Sequence, residues 1–191
     1  MSTTTTARTL PTRDSILDAA ERLFCTRGIQ TVGVDLIVAE AGVAKMTLYK
    51  HFHSKDLLAA EVVRKRSQAM RDWLVSESKR RGQDAAGQIL GLFDALAEWF
   101  EKSEFRACLA LNTTLEIAEP EHPARVEAMN HKVAMRAILE DLAIRAGAER
   151  PKELGDQLLI LVHGSIALAA AWKSSAPAVR AKQVARVLLD A

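Results

Sequence analysis

At 191 residues, 49% hydrophobic and 26% charged with only 9 Gly and 5 Pro, the chain has the makeup of a soluble protein rich in helix formers. That composition excludes a collagenous, disulfide-scaffolded or wholly disordered class. The net charge of +2 is unevenly spread: residues 1–83 carry 14 Lys+Arg against 9 Asp+Glu, an excess of +5, and the remainder is −3, so the first half suits a polyanion contact as well as it suits plain solvated helix faces.

Thr3 to Thr6 form a polar low-complexity start that can bury nothing, so residues 1–11 are expected to be a disordered tail. From Thr12, residues Ile16, Leu17, Ala20, Leu23 and Phe24 recur at helical spacing, with Thr12 as N-cap, Asp14 in the first turn and Gly28 as the stop. Two short helices are expected next, roughly Val34 to Ala41 and Lys45 to Phe52, separated by Gly42-Val43-Ala44. Ser54 then caps a long helix that uses Leu57, Leu58, Val62, Met70, Trp73 and Leu74 and runs to the charged KRRGQ stretch near Gly82.

The rest also reads as helix: Asp84 to Lys102, Phe105 to Ala118, His122 to Ala146, Pro151 to Lys173 and Pro177 to Asp190. Pro151 and Pro177 stand where a first helical turn tolerates proline, and nothing alternates as a strand does. The expected fold is all-α with about nine helices. Cys25 and Cys108 are far apart on amphipathic stretches and read as buried free thiols, which points to a reducing cytoplasm. The charge-free run Gln157 to Trp172, interrupted by His163, falls short of a membrane span, and the start lacks a signal-peptide core.

Val34 to His53 reads as a helix-turn-helix unit. Gly42 can enter a left-handed turn at little cost and Val43 plugs the corner. Ile37 and Ala41 face Leu48 and Phe52, which leaves Lys45, Met46, Thr47, Tyr49, Lys50 and His51 for the other faces. Those side chains suit duplex DNA. Lysine serves phosphate or guanine, threonine serves phosphate or a thymine methyl, and tyrosine reaches phosphate while packing on sugar. Lys55 adds a cation at the start of the long helix.

The run from Gly42 to Leu58, GVAKMTLYKHFHSKDLL, together with Ile16 to Ala20 and Leu23-Phe24 before it, resembles the DNA-binding signature of TetR family regulators over about a third of the chain. The resemblance implies a DNA-binding domain at 12–58, with its motif at about 34–53, and an effector-binding and dimerisation domain at 59–191. It implies that Lys45, Met46, Thr47 and Tyr49 face bases or phosphates and that His51 and Lys55 approach the backbone. Four positions depart from the family pattern: Gly33 replaces a hydroxyl cap, Val38 a small alanine, Ala44 a capping serine and Met46 a common glycine.

The implied activity is that of a ligand-released repressor acting as a homodimer on a palindromic operator, with half-sites about 34 to 36 Å apart or a multiple of that. No cofactor and no metal are expected. The helix from Leu158 to Trp172 is apolar all round and so must be covered on every side, for which a second subunit is the natural partner. Leu158, Leu161, Ala167, Ala171, Val184 and Leu188 are the expected interface. The implied effector pocket is sought among Trp99, Phe100, Phe105, Asn112, Glu116, Met129, His131 and His163, the aromatic, soft or polar groups on otherwise apolar helices. Catalysis lacks a motif: there is no glycine-rich phosphate loop, no G-x-S-x-G and no H-E-x-x-H. A helical interaction protein that has lost DNA binding stays open at this stage.

Overall fold

A computed structural model describes residues 12–103 and 105–190; the expected tail at 1–11 lies outside the described residues. Nine α-helices and no strand occur among the described residues, in the order α1 (Thr12–Arg27), α2 (Val34–Ala41), α3 (Lys45–Phe52), α4 (Lys55–Arg81), α5 (Ala85–Phe100), α6 (Leu109–Glu116), α7 (Pro123–Arg145), α8 (Pro151–Trp172) and α9 (Ala176–Leu189). The first three form a small head. The long α4 leaves that head and packs against α5 and α7, and α8 and α9 close the far side of the body.

Local chemistry sets most of the boundaries. Ser54 accepts from the amide of Leu57 to start α4, Asp84 accepts from Gly87 to start α5, and the His122 ring accepts from Ala124 to start α7. One core runs through the molecule, from Ile16, Phe24, Ile37, Leu48 and Phe52 in the head to Leu58, Val62, Leu92, Phe93, Leu139 and Leu158 in the body.

The crossing of α4 and α5 is unusually close. A Cβ placed on Gly91 would lie 2.6 Å from the Arg81 Cβ, so only glycine lets the two helices meet there. Arg81 then reaches over α5 to the Glu98 carboxylate at 2.7 Å while also holding Glu77 at 3.0 Å.

Two sequence expectations need correction. The helix expected over Phe105 to Ala118 is shorter, because Ala107 has φ 68° and Cys108 is an extended N-cap. Phe105 instead folds onto the Trp99 ring at 4.8 Å, edge to face, and onto Phe100 at 4.8 Å. Helix α8, read as too short for a membrane, is long and apolar enough to cross one by length and composition. It lies packed along α7 and α9, and Asp156 near its start binds Arg136 through paired contacts.

Candidate nucleic-acid interface

The turn between α2 and α3 follows from Gly42, which sits at φ 67°, ψ 35°. In that left-handed state its amide and that of Val43 return to the carbonyls of Ala39 and Val38 at 3.3 and 3.0 Å, closing α2. Val43 packs against the head core. Neither Gly33 nor Ala44 supplies a side-chain cap, and α3 starts on backbone bonds from Thr47 and Leu48 to the Ala44 carbonyl at 2.9 and 3.4 Å. The missing hydroxyl costs α3 up to about 1 kcal/mol at Ala44, and α2, whose cap is glycine, only a few tenths.

Helix α3 is divided by face. Leu48 and Phe52 are buried and anchor it to α1 and α4, while Lys45, Met46, Tyr49 and Lys50 are exposed and Thr47 and His51 half-exposed. Met46 is 79% exposed, the highest value among the large apolar side chains of the described residues. Lys45 pairs with Asp35 on α2 at 2.9 Å, and that carboxylate holds its ammonium above the ordinary lysine value. Lys55 lies half-buried with its ammonium 3.4 Å from the Gln30 carbonyl. All seven residues expected to meet DNA are therefore on or beside one short helix, and four of them, Lys45, Met46, Tyr49 and Lys50, stand fully on its exposed face.

Besides the α1–α4 ion pairs, a side chain of α6 ties the head to the body. Glu116, the last residue of α6, accepts from the amides of Ile29 at 3.1 Å and Gln30 at 2.6 Å in the loop between α1 and α2. His122 adds a contact from the start of α7 to Asp56 on α4 at 3.4 Å. Glu116 was expected in a pocket wall; the structure places it in this clamp instead, because its carboxylate reaches two amides that no helix satisfies.

The other pocket candidates scatter. Trp99, Phe100 and Phe105 stack on one another, Met129 is exposed, and the Asn112 amide donates to the Arg106 carbonyl at 3.1 Å. Trp99 and Asn112 border a void of about 60 Å³, and Trp99 a second one of about 20 Å³. Burial pushes the His131 and His163 rings down to about 4, so both are neutral at pH 7. The main cavity, about 450 Å³, opens between α4, α5 and α7, and none of the eight candidates lines it. His131 stands directly behind one wall residue, Arg71, at 3.0 Å. Arg71, Lys79 and Arg145 were missed; they stand at i, i+8 on α4 and at the end of α7, among other polar and charged residues that give them no mark in the sequence.

An apolar seam is left open on the far side. Ile160 (71% exposed), Gly164, Ala167 and Ala171 follow one another along α8 at helical spacing, and Val184 and Val187 continue the seam on α9. Leu158, expected in an interface, is fully buried in the protomer's own core and cannot contribute; Leu161 and Leu188 are half-buried against that core. Ala167 and Ala171 are exposed on the seam, while Leu158 and Leu161 turn inward and Ile160 and Gly164 stand in their place.

A left-handed glycine turn, a two-helix reading unit with a polar outer face and a larger helical body define the class: a helix-turn-helix transcription regulator, not an enzyme. Residues 16–62 match the model of bacterial regulatory proteins of the tetR family. The whole chain aligns with a TetR-family transcriptional regulator from Streptomyces coelicolor at TM-score 0.85 and 26% identity, covering 94% of each chain. It is also similar to the HTH-type transcriptional regulator LmrA of Bacillus subtilis, 29% identical over 86% of this chain and 89% of that one. An uncharacterized HTH-type regulator of Mycobacterium tuberculosis is 32% identical over 117 residues, 61% of this chain and 48% of that protein, so the match spans about half of that relative. The DNA-binding segment of the chain thus matches the TetR family of transcription regulators, and the fold around it is the one that family's solved members share.

Proposed function

We propose that this regulator is a repressor that acts in the cytoplasm as a homodimer on a palindromic operator and releases it when a small molecule fills the body. The observation that carries the reading is the split of α3, with Leu48 and Phe52 held in the core and Lys45, Met46, Tyr49 and Lys50 turned outward. A dimer seated on DNA needs only affinity to block transcription, which makes repression the simplest outcome. The open seam on α8 and α9 supports dimerisation, since a soluble protein does not leave such a stripe bare at no cost. The cavity between α4, α5 and α7 supports ligand release, because α4 is both its wall and the stem of the head.

Selection from a randomised duplex library with the full-length protein tests the reading. A recovered inverted repeat supports it; recovery of no preferred sequence at low salt sinks it. On the selected duplex, Lys45→Ala should weaken binding about 5- to 150-fold if the ammonium meets a base. Equal weakening on a scrambled duplex, read by fluorescence anisotropy, would demote Lys45 to a phosphate contact.

Met46 makes a sharper statement. The only apolar group on the base edges of the major groove is the 5-methyl of thymine, and Met46 offers an uncovered thioether chain beside it on α3. Replacing the thymine beneath it by deoxyuracil should weaken wild-type binding about fourfold, one buried methyl's worth. Met46→Ala should be indifferent to that replacement. If the wild type is equally indifferent at every thymine, Met46 does not read the operator.

A further inference from the structure

The cavity between α4, α5 and α7 has an apolar floor and a basic rim. Leu74 and Leu92 with Met135, Ile138 and Leu142 form the floor. Arg71, Lys79, Arg145 and Asp141 form its charged border, three cations against one carboxylate. That carboxylate is already committed, since Asp141 holds the Arg145 guanidinium at 2.9 Å. Among the described residues no carboxylate lies within ion-pair distance of Lys79 or Arg71. The guanidinium of Arg71 has only neutral partners: the Gln68 side-chain carbonyl at 2.6 Å and the His131 Nδ1 at 3.0 Å.

The His131 contact fixes its own chemistry. Arg71 can only donate, so Nδ1 must accept, and the ring proton then sits on Nε2, facing the Cys108 sulfur at 3.9 Å. A half-buried cation resting on a neutral imidazole is under-compensated, and an anion beside it would gain from a charge-assisted bond made out of bulk water.

We infer that the effector of this protein is an amphipathic anion, with its acid group between Arg71 and Lys79 and its hydrocarbon body on the floor formed by Leu74, Leu92, Met135, Ile138 and Leu142. This rests on the reading of the cavity as the effector site. The inference also gives the route by which occupancy reaches the head. An anion that draws Arg71 towards it withdraws the donor from His131, which packs on Cys108 at the first turn of α6, and α6 ends at the Glu116 clamp on Ile29 and Gln30.

The test uses three amphiphiles of one chain length, decanoate, 1-decanol and decyltrimethylammonium, titrated below their micelle concentrations into the full-length protein by calorimetry. Decanoate should bind about tenfold more tightly than either of the others. Lys79→Met, a substitution at an exposed position that leaves the core intact, should shrink that preference, and Lys79→Met with Arg71→Gln should erase it while decanol binding persists. Equal or tighter binding of the alcohol or the cation overturns the inference, as does absence of decanoate binding or a charge preference untouched by both variants. The same ligand is then added to the selected duplex complex. Decanoate that binds with the stated preference yet leaves the DNA bound would refute ligand release while the ligand class stands.

Discussion

Ala167→Glu should convert the protein to a monomer and weaken operator binding by about 10²- to 10⁴-fold, the factor lost when two linked reading heads become independent. Ala167 lies at the middle of the open seam on α8, exposed in the protomer, so the substitution leaves folding of the single chain undisturbed. In the proposed dimer the seam would meet its own copy across a two-fold axis, and each protomer would bury one carboxylate against apolar neighbours without a counter-charge. Breaking the pairing of a buried charge costs about 3–5 kcal/mol, and the symmetry doubles the insult. Sedimentation velocity reports the first effect and anisotropy on the selected duplex the second. An unaltered sedimentation profile would move the interface off α8.

Glu116→Ala should loosen the head from the body. The carboxylate is the acceptor for the amides of Ile29 and Gln30, and Ile29 is buried. An amide left without a partner in such a place costs about 1–3 kcal/mol, so the melting temperature falls and exchange at both amides quickens. Glu116→Gln keeps one carbonyl oxygen and should sit between wild type and alanine. Because the clamp is the contact from α6 to the loop before α2, the alanine variant should also bind operator with an affinity that responds little to the effector. Unchanged amide protection in Glu116→Ala, measured by hydrogen exchange, would remove this residue from both roles.

Where function was written in local chemistry, it was readable before any coordinates. Gly42, Ser54 and the apolar positions of Ile37, Leu48 and Phe52 set the head, because a left-handed turn, a cap and a helical stripe are each decided within a few residues. The reading face of α3 is what remains once those positions are spent. The body was harder for reasons that can be named. Helix α6 starts late because Ala107 adopts φ 68°, and no glycine or proline marks that turn.

Helix α8 gave no phase, since a helix apolar on all sides has no direction in which to point. Aromatic and polar groups were a poor guide to the cavity: Trp99, Phe100 and Phe105 satisfy one another, and Glu116 is spent on two amides. The cavity is a gap left by three packed helices, and the residues that give it character, Arg71, Lys79 and Arg145, look like ordinary surface charges until the helices are placed side by side.

The glycine crossing of α4 on α5 fixes where movement can begin. Locked to α5 at Arg81 and Gly91, α4 carries the head at its other end, Ser54, 27 residues away, or about 40 Å at the rise of an α-helix. Such a rod is a lever with its fulcrum by the cavity. A tilt of about 5° at the fulcrum carries the far end through about 3.5 Å, a displacement comparable to the rise of one base pair along a DNA strand. In the proposed dimer the two-fold axis would repeat the excursion in each subunit, so a side-chain adjustment too small to notice in the body would become a mismatch of spacing at the DNA.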